Sequence, residues 1–561
     1  MSNKLAKGKA KKQNNKKTDF WQIADMICTY SLAVFSCLWI FLILVVLPFY
    51  FQEGYVHIGS DKSYLFRTTG AGLGKVVLPL LALWAICRVI CVVRRKRQEC
   101  QKLFRKEDLR NLSMVDVCAA LYLGAAALSY LCTDYRETAL WGTKGWYMGL
   151  MPQVILVVSY FVLSRFEFGQ LGGLPLFLCF PISAVTFVLG YLNRFDIWPL
   201  NMPSSGLPDY ISTIGNINWY CSYVVITLFL GVALFLQETG EKRWHVWLWM
   251  GYLWLGFGAL LTQGSDSGVF AALCMLLVLF DRAVRGEDVR RMLRFWQTAL
   301  LFSGAGAFTW VLRVLFPGKM NYMSELGHVF YRPLSLVLMA VCGCGILYTQ
   351  KVWKRPGKDG KTGKNQVDLF RGAQLLLRWA VPAGLLGVVV LITVNTLRPG
   401  SIGPLSDSSV FTFNNEWGSR RGATWTLGIE CFVRQDLLHK LVGVGPDCMS
   451  DYLYSDSGTA AGLAEAAMEA FDGRRLTNAH CELLTILVNL GVIGALCYAG
   501  MLVGFFRNCL NGDKPGKVAV ACGIGVLALV FNNLWSFQQS MGVSTMFVVL
   551  ALGEYFRRNR I

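Results

Sequence analysis

The sequence predicts an all-α protein that crosses a membrane about 12–14 times. Of its 561 residues, 54% are hydrophobic and only 16% are charged, and the mean hydropathy is +0.44. A soluble domain carries about 25% charged residues. The apolar residues form runs of about 18 to 28, long enough to cross a hydrocarbon core as helices. The runs lack the alternation of barrel strands, so helices are the structure that satisfies their backbone in lipid.

The apolar runs divide the chain into four regions. Residues 1–20 form a basic, cytoplasmic tail, and the next run is too long for a signal-peptide core, so we interpret it as a retained span. Residues 21–397 form a transmembrane helix bundle, residues 398–481 a large external loop, and residues 482–561 the last three helices. The predicted spans lie near 22–50, 72–93, 113–132, 147–164, 171–191, 218–236, 245–262, 268–280, 295–315, 332–349, 376–396, 483–506, 518–535 and 541–556.

The net charge of +19 follows this predicted topology. Basic clusters at 94–97, 281–294 and 351–364 lie between apolar runs, as the positive-inside rule expects of cytoplasmic loops. With both termini inside, every strongly basic loop is cytoplasmic and the large loop is external. Because no nucleic-acid-binding module accompanies the charge, we expect membrane lipids, and not nucleic acid, as partners.

The 18 cysteines lie mostly within predicted spans, where Cys behaves as a small apolar residue. In the large loop, Cys431 and Cys448 either form a disulfide or remain free thiols, because spacing alone does not set their geometry. The sequence contains no CxxC or HExxH spacing. It therefore predicts neither a metal site nor a cofactor.

The large loop concentrates the residues suited to chemistry. It contains two of the five histidines, His439 and His480, and the arginines Arg420, Arg421, Arg434, Arg474 and Arg475. The planar guanidinium of arginine suits bidentate binding of phosphate, so an arginine-rich loop beside a membrane indicates an anionic, membrane-held ligand. The alternative is that these arginines pair with Glu416, Glu430, Asp436 or lipid phosphates.

The same loop is predicted to be partly helical. Residues 421–434 place polar and apolar residues at helical spacing, with Trp425, Ile429 and Phe432 on one side. Residues 459–471 form a second helix by propensity.

His480 is the candidate general base. Asn478 is predicted to cap the following span, which places His480 in the first turn of that helix, where the helix dipole keeps the imidazole neutral. A capping or interfacial histidine is the alternative. Asp266, at an outer turn between two spans, is a candidate because acidic residues at membrane depth are costly, although it can also simply cap the next helix.

Four motifs occur along the chain in a defined order. They are Gly215-Asn216-Ile217-Asn218; Gly418-Ser419-Arg420-Arg421 with Trp425; Gly443-Val444-Gly445-Pro446; and Asn478-Ala479-His480-Cys481-Glu482-Leu483-Leu484, followed by Leu490-Gly491-Val492-Ile493-Gly494. Together they resemble the O-antigen ligase and polymerase superfamily over residues 210–506. The chain departs from the family pattern at Ile217, Cys481 and Asp266, where proline, asparagine and arginine are usual.

The resemblance implies a GT-C-like glycosyltransferase, inverting and metal-independent, on the outer face of the bacterial cytoplasmic membrane. Its donor would be a glycan on undecaprenyl diphosphate, and its acceptor a hydroxyl on another glycan, a lipid or a cell-wall polymer. Arg421, aided by Arg420, would bind the diphosphate, and His480 would deprotonate the acceptor. The other expected substrate-binding residues are Arg434, Trp425, Asn216, Asn218 and Asp266.

Two other functions remain open at this point. A transporter, such as a flippase of lipid-linked glycans, also has many spans, but it needs charged residues along a central cavity, and the predicted spans carry few charges at mid-depth. A non-catalytic scaffold would not depend on Arg421 or His480. The motifs do not separate a ligase from a polymerase.

Overall fold

The computed structural model describes residues 20–98, 112–166, 174–238, 242–285, 289–320, 324–353, 368–455, 460, 462–512 and 515–559. The predicted basic tail, and most of the basic loops at 99–111 and 354–367, lie outside the described residues.

Helices account for nearly all regular structure in the described residues, and each predicted span coincides with a helix. In chain order they are α1 (Phe20–Phe41), α2 (Ile58–Gln98), α3 (Met114–Cys132), α4 (Arg136–Trp141), α5 (Leu150–Leu163), α6 (Leu174–Arg194), α7 (Ile217–Leu236), α8 (Arg243–Thr262), α9 (Asp266–Arg285), α10 (Val289–Leu315), α11 (Glu325–Phe330), α12 (Leu334–Trp353), α13 (Asp368–Leu397), α14 (Trp417–Arg434), α15 (Leu437–Val442), α16 (Met449–Leu453), α17 (Leu463–Ala470), α18 (Glu482–Leu510), α19 (Lys517–Asn533) and α20 (Ser540–Asn559). A two-residue antiparallel pair, β1 (Tyr210–Ile211) with β2 (Gly215–Asn216), precedes α7.

Ten of the described helices are long and apolar enough to cross a membrane, and the shorter apolar helices α5 and α19 accompany them. The predicted all-α, multi-spanning membrane protein is therefore confirmed. The apolar runs form helices because lipid offers no hydrogen-bond partners, and a helix satisfies its backbone hydrogen bonds within its own segment.

The centre of the bundle is formed by α7 and α20. In the most apolar 18-residue stretch of α7, 89% is buried inside the protein. The neighbours of α7 are α8, α19 and α20. A helix that is apolar on all sides suits such a central position. By contrast, the most apolar 18-residue stretch is only 6% buried in α2 and 0% buried in α13, so these two helices lie at the periphery.

A buried lysine joins the first two helices. After α1 the chain continues as a π-helical turn and a short 3-10 helix, Leu47–Phe49. The Nζ atom of Lys62, near the start of α2, donates to the carbonyl oxygens of Leu47, Pro48 and Tyr50 at 2.8, 3.0 and 2.9 Å. Pro48 and Tyr50 lie at the end of the preceding helical segment, where helical donors are lacking, so Lys62 satisfies their carbonyls and fixes the α1–α2 hairpin.

The large loop folds into its own small unit. Helices α14, α16 and α17 form, with Ala139 of α4 and Val488 of α18, a second hydrophobic cluster that is separate from the main core and includes Leu427, Cys431, Cys448 and Leu463. Helix α17 confirms the helix predicted at 459–471, although it is shorter.

Helix α14 confirms the helix predicted at 421–434, and of the three apolar residues on its predicted side Trp425 and Phe432 are partly buried but Ile429 is not. Ile429 is 51% exposed, and the buried side instead carries Thr424, Leu427 and Gly428. Glycine allows the helix to approach the segment before α18, because a Cβ at Gly428 would lie 2.9 Å from that of Ala479. Close packing at Gly428 thus determines which side of α14 is buried, and hydrophobic periodicity cannot reveal such packing.

The alternatives left open for Cys431 and Cys448 are resolved by this cluster. Both residues are buried free thiols, so the disulfide alternative is wrong. Burial among apolar side chains raises the pKa of Cys431 to about 12, which keeps the thiol protonated.

Candidate functional site

Arg421 lies directly after a kink at the start of α14. Gly418, Ser419 and Arg420 have φ angles of 59°, 59° and 67°, a left-handed conformation that costs an L-residue about 1–2 kcal/mol. The Nε and Nη2 atoms of Arg421 donate to the carbonyl oxygen of Trp535 at 3.1 and 3.0 Å, and Nη1 donates to that of Gly418 at 2.8 Å. The kink thus directs the guanidinium to the segment between α19 and α20.

His480 lies before α18 and not in its first turn, so the predicted position is wrong. The helix begins at Glu482, with Cys481 as its N-cap residue. Asn478 does form a side-chain turn, in which its Oδ1 accepts from the His480 N–H at 3.0 Å. That turn closes before the helix starts and leaves His480 with a φ of 49°. The half-buried imidazole meets the ring of Phe537 edge-on, with the centroids 5.0 Å apart.

The imidazole of His480 is neutral at neutral pH. The surrounding protein desolvates it, and the nearby charge of Arg421 disfavours protonation, so its pKa falls from 6.5 to about 4. A neutral ring can accept a proton, which is what a general base requires.

One short segment brings Arg421 and His480 together. Trp535 accepts the hydrogen bonds of Arg421, and Phe537, two residues later, contacts His480. The ring of Trp535 also stacks against that of Trp425, with centroids 4.9 Å apart. Trp425 therefore packs against Trp535 and helps to hold this segment in place.

The Trp535–Phe537 segment was missed by the sequence analysis. Its one sequence signal is a run of polar side chains, Asn532 and Asn533 before it and Gln538 and Gln539 after it, between two apolar spans. Such a run also occurs in ordinary connecting loops, so proximity to Arg421 could be seen only in three dimensions.

Glu482 is a buried carboxylate that the sequence analysis also did not single out. It is 3% exposed, and its oxygens accept from the hydroxyl of Tyr498 at 2.9 Å and from Nδ2 of Asn533 at 3.1 Å. Together with Asn478 and Phe537 it lines a cavity of about 30 Å³, enough for about one water molecule. A buried carboxylate needs such partners, and here they fix the start of α18 two residues after His480.

Asn218 is linked to Glu482 by buried hydrogen bonds. The Ser222 hydroxyl donates to the carbonyl oxygen of Asn218 at 3.0 Å and accepts from Asn532 Nδ2 at 3.1 Å. Asn532 Nδ2 also donates to Oδ1 of Asn533 at 3.0 Å, and Asn533 binds Glu482. The first and fourth motifs are therefore joined through the end of α19.

Asn216 and Asp266 each accept a hydrogen bond from the first turn of a helix. Asn216 caps α7, since its Oδ1 accepts from the N–H of Asn218 at 2.9 Å. Asp266 begins α9, but its Oδ1 accepts from the N–H of Leu326 at 2.9 Å and so ties that turn to α11. The contact of Asp266 is therefore with a later helix, α11, and not with the start of the next helix, α9, that the capping alternative named.

Arg420 and Arg434 form surface ion pairs. Arg420 pairs with Asp472 at 2.9 Å and with Glu416 at 3.6 Å, and Arg434 pairs with Glu430 at 3.0 Å. Exposed pairs of this kind stabilise a protein little. The ion-pair alternative thus describes these two arginines better than it describes Arg421, which binds backbone carbonyls.

The third motif is hydrogen-bonded to the residues that directly precede Leu490 in α18. Helix α18 is broken at Gly491, where φ is 65° and ψ is −172°, so carbonyl groups before the break lack helical donors. The N–H of Val444 donates to Val488 at 3.1 Å, and that of Gly445 donates to Asn489 at 3.1 Å. The loop therefore supplies hydrogen-bond donors to the carbonyl groups at this break, which lipid could not do.

Asp447, directly after the third motif, joins a further loop to the site. It is 7% exposed, and its Oδ2 accepts from the N–H groups of Thr143 and Met148 at 2.8 and 2.9 Å. Burial raises its pKa to about 7. The loop that it holds carries Trp146, whose ring lies 4.6 Å from that of Phe537. Sequence analysis did not single out Asp447, because a single aspartate after a turn has no specific signature.

Within the described ranges, no group of three or more His, Cys, Asp or Glu side chains is placed to hold a metal ion. No protein-family model matches this chain, and no curated protein sequence matches it. Its function is therefore a proposal that rests on the motifs and on the geometry of the site.

Proposed function

We propose that this protein is an inverting membrane glycosyltransferase that transfers a glycan from undecaprenyl diphosphate to a hydroxyl acceptor, as a surface-polysaccharide ligase or polymerase. The site would lie on the outer face of a bacterial cytoplasmic membrane. The proposal comes from the resemblance of the four motifs and requires neither a metal nor a nucleotide sugar.

One observation carries the proposal furthest. Arg421 and His480 lie far apart in the sequence, yet both contact the Trp535–Phe537 segment. Besides burial, the charge of Arg421 lowers the pKa of the imidazole. A fixed cation beside a neutral base is the pair that displacement of a diphosphate by a hydroxyl needs.

The proposed reaction is a single displacement. The acceptor oxygen attacks the anomeric carbon, the bond from that carbon to the diphosphate oxygen breaks, and the hydroxyl proton passes to the imidazole of His480. Arg421 binds the diphosphate and stabilises the charge that develops on it as it leaves. Because attack and departure occur on opposite faces, the anomeric configuration inverts.

Donor binding would also activate the base. The charge of Arg421 lowers the pKa of His480, and a diphosphate bound to Arg421 would offset that charge. His480 would therefore be a weak base in the free protein and a stronger one in the complex with donor. The folded loop would cover the reacting groups and exclude water, so that transfer outcompetes hydrolysis.

The test is a size profile of lipid-linked and surface glycans in the native host, comparing wild type with His480→Ala. Loss of a general base is expected to slow transfer by about 10²–10⁴-fold. Single repeat units accumulating on the lipid would identify a polymerase, and long chains retained on the lipid would identify a ligase.

His439→Ala is the matched control. His439 lies in the same loop, but its ring Nδ1 is hydrogen-bonded to Oδ2 of Asp436 at 2.8 Å at the start of α15. Its removal is expected to leave the profile unchanged. If His480→Ala also gives the wild-type profile, glycosyl transfer through His480 is wrong, and transport of lipid-linked glycans or a scaffold role takes its place.

A further inference from the structure

A second pocket lies at the end of the bundle opposite the site at Arg421 and His480. Its volume is about 340 Å³, within the range of about 300–1,000 Å³ that is usual for ligand sites. Helices α7, α9, α18 and α19 each have one end near the site and line this pocket with the other end. Because α7 is 20 residues long, the pocket lies about 30 Å along that helix from the site.

The pocket lies where the predicted spans end. Arg282 and Arg291 line it, and they lie just beyond the predicted span 268–280 and just before the one at 295–315. Both arginines are therefore at the depth of lipid headgroups. The wall also includes the buried side chains of Leu279 and Ile524. Ile524 lies about 10 Å along α19 from its first residue, so the apolar wall reaches hydrocarbon depth.

Arg282 uses only one of its N–H donors within the protein. Its Nη1 donates to the carbonyl oxygen of Leu510, at the end of α18, at 3.2 Å. Across the part of the chain that the structure describes, this half-buried guanidinium makes no other hydrogen bond and no ion pair. Its remaining donors are therefore available to a ligand in the pocket.

The carboxylate next to Arg282 in the sequence is already occupied. Oδ2 of Asp281 pairs with Nε of Arg285 at 2.7 Å, and Oδ1 pairs with Nη2 of Arg378 at 2.8 Å. The positive charges of Arg291 and Arg285 also act on Arg282. None of the described residues that line the pocket is acidic, and the pocket therefore favours an anion.

The basic loop as a whole has the same sign of charge. Residues 281–294 carry five arginines and three acidic residues, which gives a net charge of +2. A basic residue at the end of a span is ordinary. Arg282 differs because it lines a cavity that is charged at headgroup depth and apolar below it. That combination suits an amphiphile with an anionic head.

We propose that this pocket binds the headgroup of an anionic phospholipid, with the phosphate on Arg282 and Arg291 and the first part of an acyl chain against the apolar wall. Basic pockets between membrane helices suit such headgroups, and a guanidinium can bind two phosphate oxygens at once. The ammonium group of a zwitterionic lipid would instead meet two arginines and no carboxylate from the described lining. A free phosphate would leave the apolar wall uncovered. The proposal is independent of the glycosyl-transfer reaction.

The test uses the full chain, purified in a neutral detergent, and native mass spectrometry, which counts the lipid molecules bound to each protein. The probe is phosphatidylglycerol, and phosphatidylcholine with the same acyl chains is the comparison. Wild type is expected to bind one phosphatidylglycerol about tenfold more tightly than phosphatidylcholine, which corresponds to one charge-assisted contact.

Substitutions make the test specific to the pocket. Arg282→Gln and Arg291→Gln should each remove most of the preference for phosphatidylglycerol, whereas Arg282→Lys keeps the charge and should retain part of it. Arg507→Gln is the matched control, because Arg507 is exposed in the last turn of α18 at the same end of the bundle and does not line the pocket. It should bind like wild type. Arg291→Gln keeps the test decisive if Arg282→Gln does not fold.

Three results would overturn the proposal. The first is a preference for phosphatidylglycerol that is unchanged in both Arg282→Gln and Arg291→Gln. The second is an equal loss in Arg507→Gln, which would mean general attraction of anionic lipid to a basic surface. The third is complete displacement of the lipid by inorganic phosphate, which would make the occupant a free anion.

Discussion

At His480, burial and one neighbouring charge together are expected to set the reactivity of the imidazole. Burial and Arg421 together lower the pKa of the imidazole to about 4. Diethyl pyrocarbonate modifies neutral imidazole, so the rate at His480 should be nearly constant between about pH 5 and pH 8. In Arg421→Gln the pKa should rise part of the way towards 6.5, because burial, the larger cause, remains. Mass spectrometry of the modified peptide should then show a rate that falls at the acidic end.

Arg434→Gln is the control for this experiment. It removes an arginine from the same helix, but one whose Nε donates to Glu430 at 3.0 Å on the exposed side. Its modification profile should match wild type. Identical profiles for wild type and Arg421→Gln would show that Arg421 does not act on His480.

Asp447 should give the protein a pH-dependent stability of defined sign. Its pKa is raised from 3.8 to about 7 by burial, so the folded state favours the protonated carboxyl. This contribution is fully present below about pH 4 and is lost as pH rises through about 7. The melting temperature in detergent should therefore fall between pH 5 and pH 8. Asp447→Asn should flatten that slope, because the amide oxygen still accepts from Thr143 and Met148 but cannot ionise.

Asp436→Asn provides the comparison for Asp447. Asp436 is an exposed N-cap in the same loop, and its hydrogen bonds with His439 lower the pKa of its carboxyl below 3.8. It stays ionised throughout the window from pH 5 to pH 8, so its replacement should leave the slope intact. An unchanged slope in Asp447→Asn would place the titrating group elsewhere.

Among the helices, the break in α18 is the most sensitive to substitution. At Gly491 the backbone adopts φ 65° and ψ −172°, a region open essentially to glycine alone. A Cβ there would also overlap the carbonyl oxygen of Leu441. Gly491→Ala should therefore lower the free energy of unfolding by about 2 kcal/mol or more, measured by thermal unfolding in detergent.

Gly304→Ala in α10 is the matched glycine control. Gly304 is helical and a Cβ there would meet nothing within 4 Å, so alanine should be neutral or slightly stabilising. If Gly491→Ala unfolds like Gly304→Ala, the break at Gly491 does not constrain the fold.

The ends and faces of elements were harder to predict than their existence. Asn478 carries a real capping signal, but its turn with the His480 N–H closes before α18 begins. Ile429 is apolar at the right spacing, yet close packing at Gly428 selects another face of α14. Local sequence reports what a residue can do, and tertiary contacts decide which option is used.

Over the whole molecule, the helices could be predicted because hydropathy alone determines them in lipid. The candidate site could be predicted only in part. Arg421 and His480 were recognisable from motifs, whereas Glu482, Asp447 and the Trp535–Phe537 segment owe their positions to contacts between distant parts of the chain. No local pattern encodes such contacts.

The break at Gly491 has a consequence for biosynthesis. The ribosome delivers Val444 and Gly445 before Val488 and Asn489, so the donors exist before the acceptors that need them. If the translocon released α18 into the lipid before the preceding loop had folded, the carbonyl of Val488 would lack its two loop donors, the N–H of Val444 and Nε2 of Gln435, at a cost of several kcal/mol. Maturation of the loop should therefore set the moment at which the closing helices can leave the translocon.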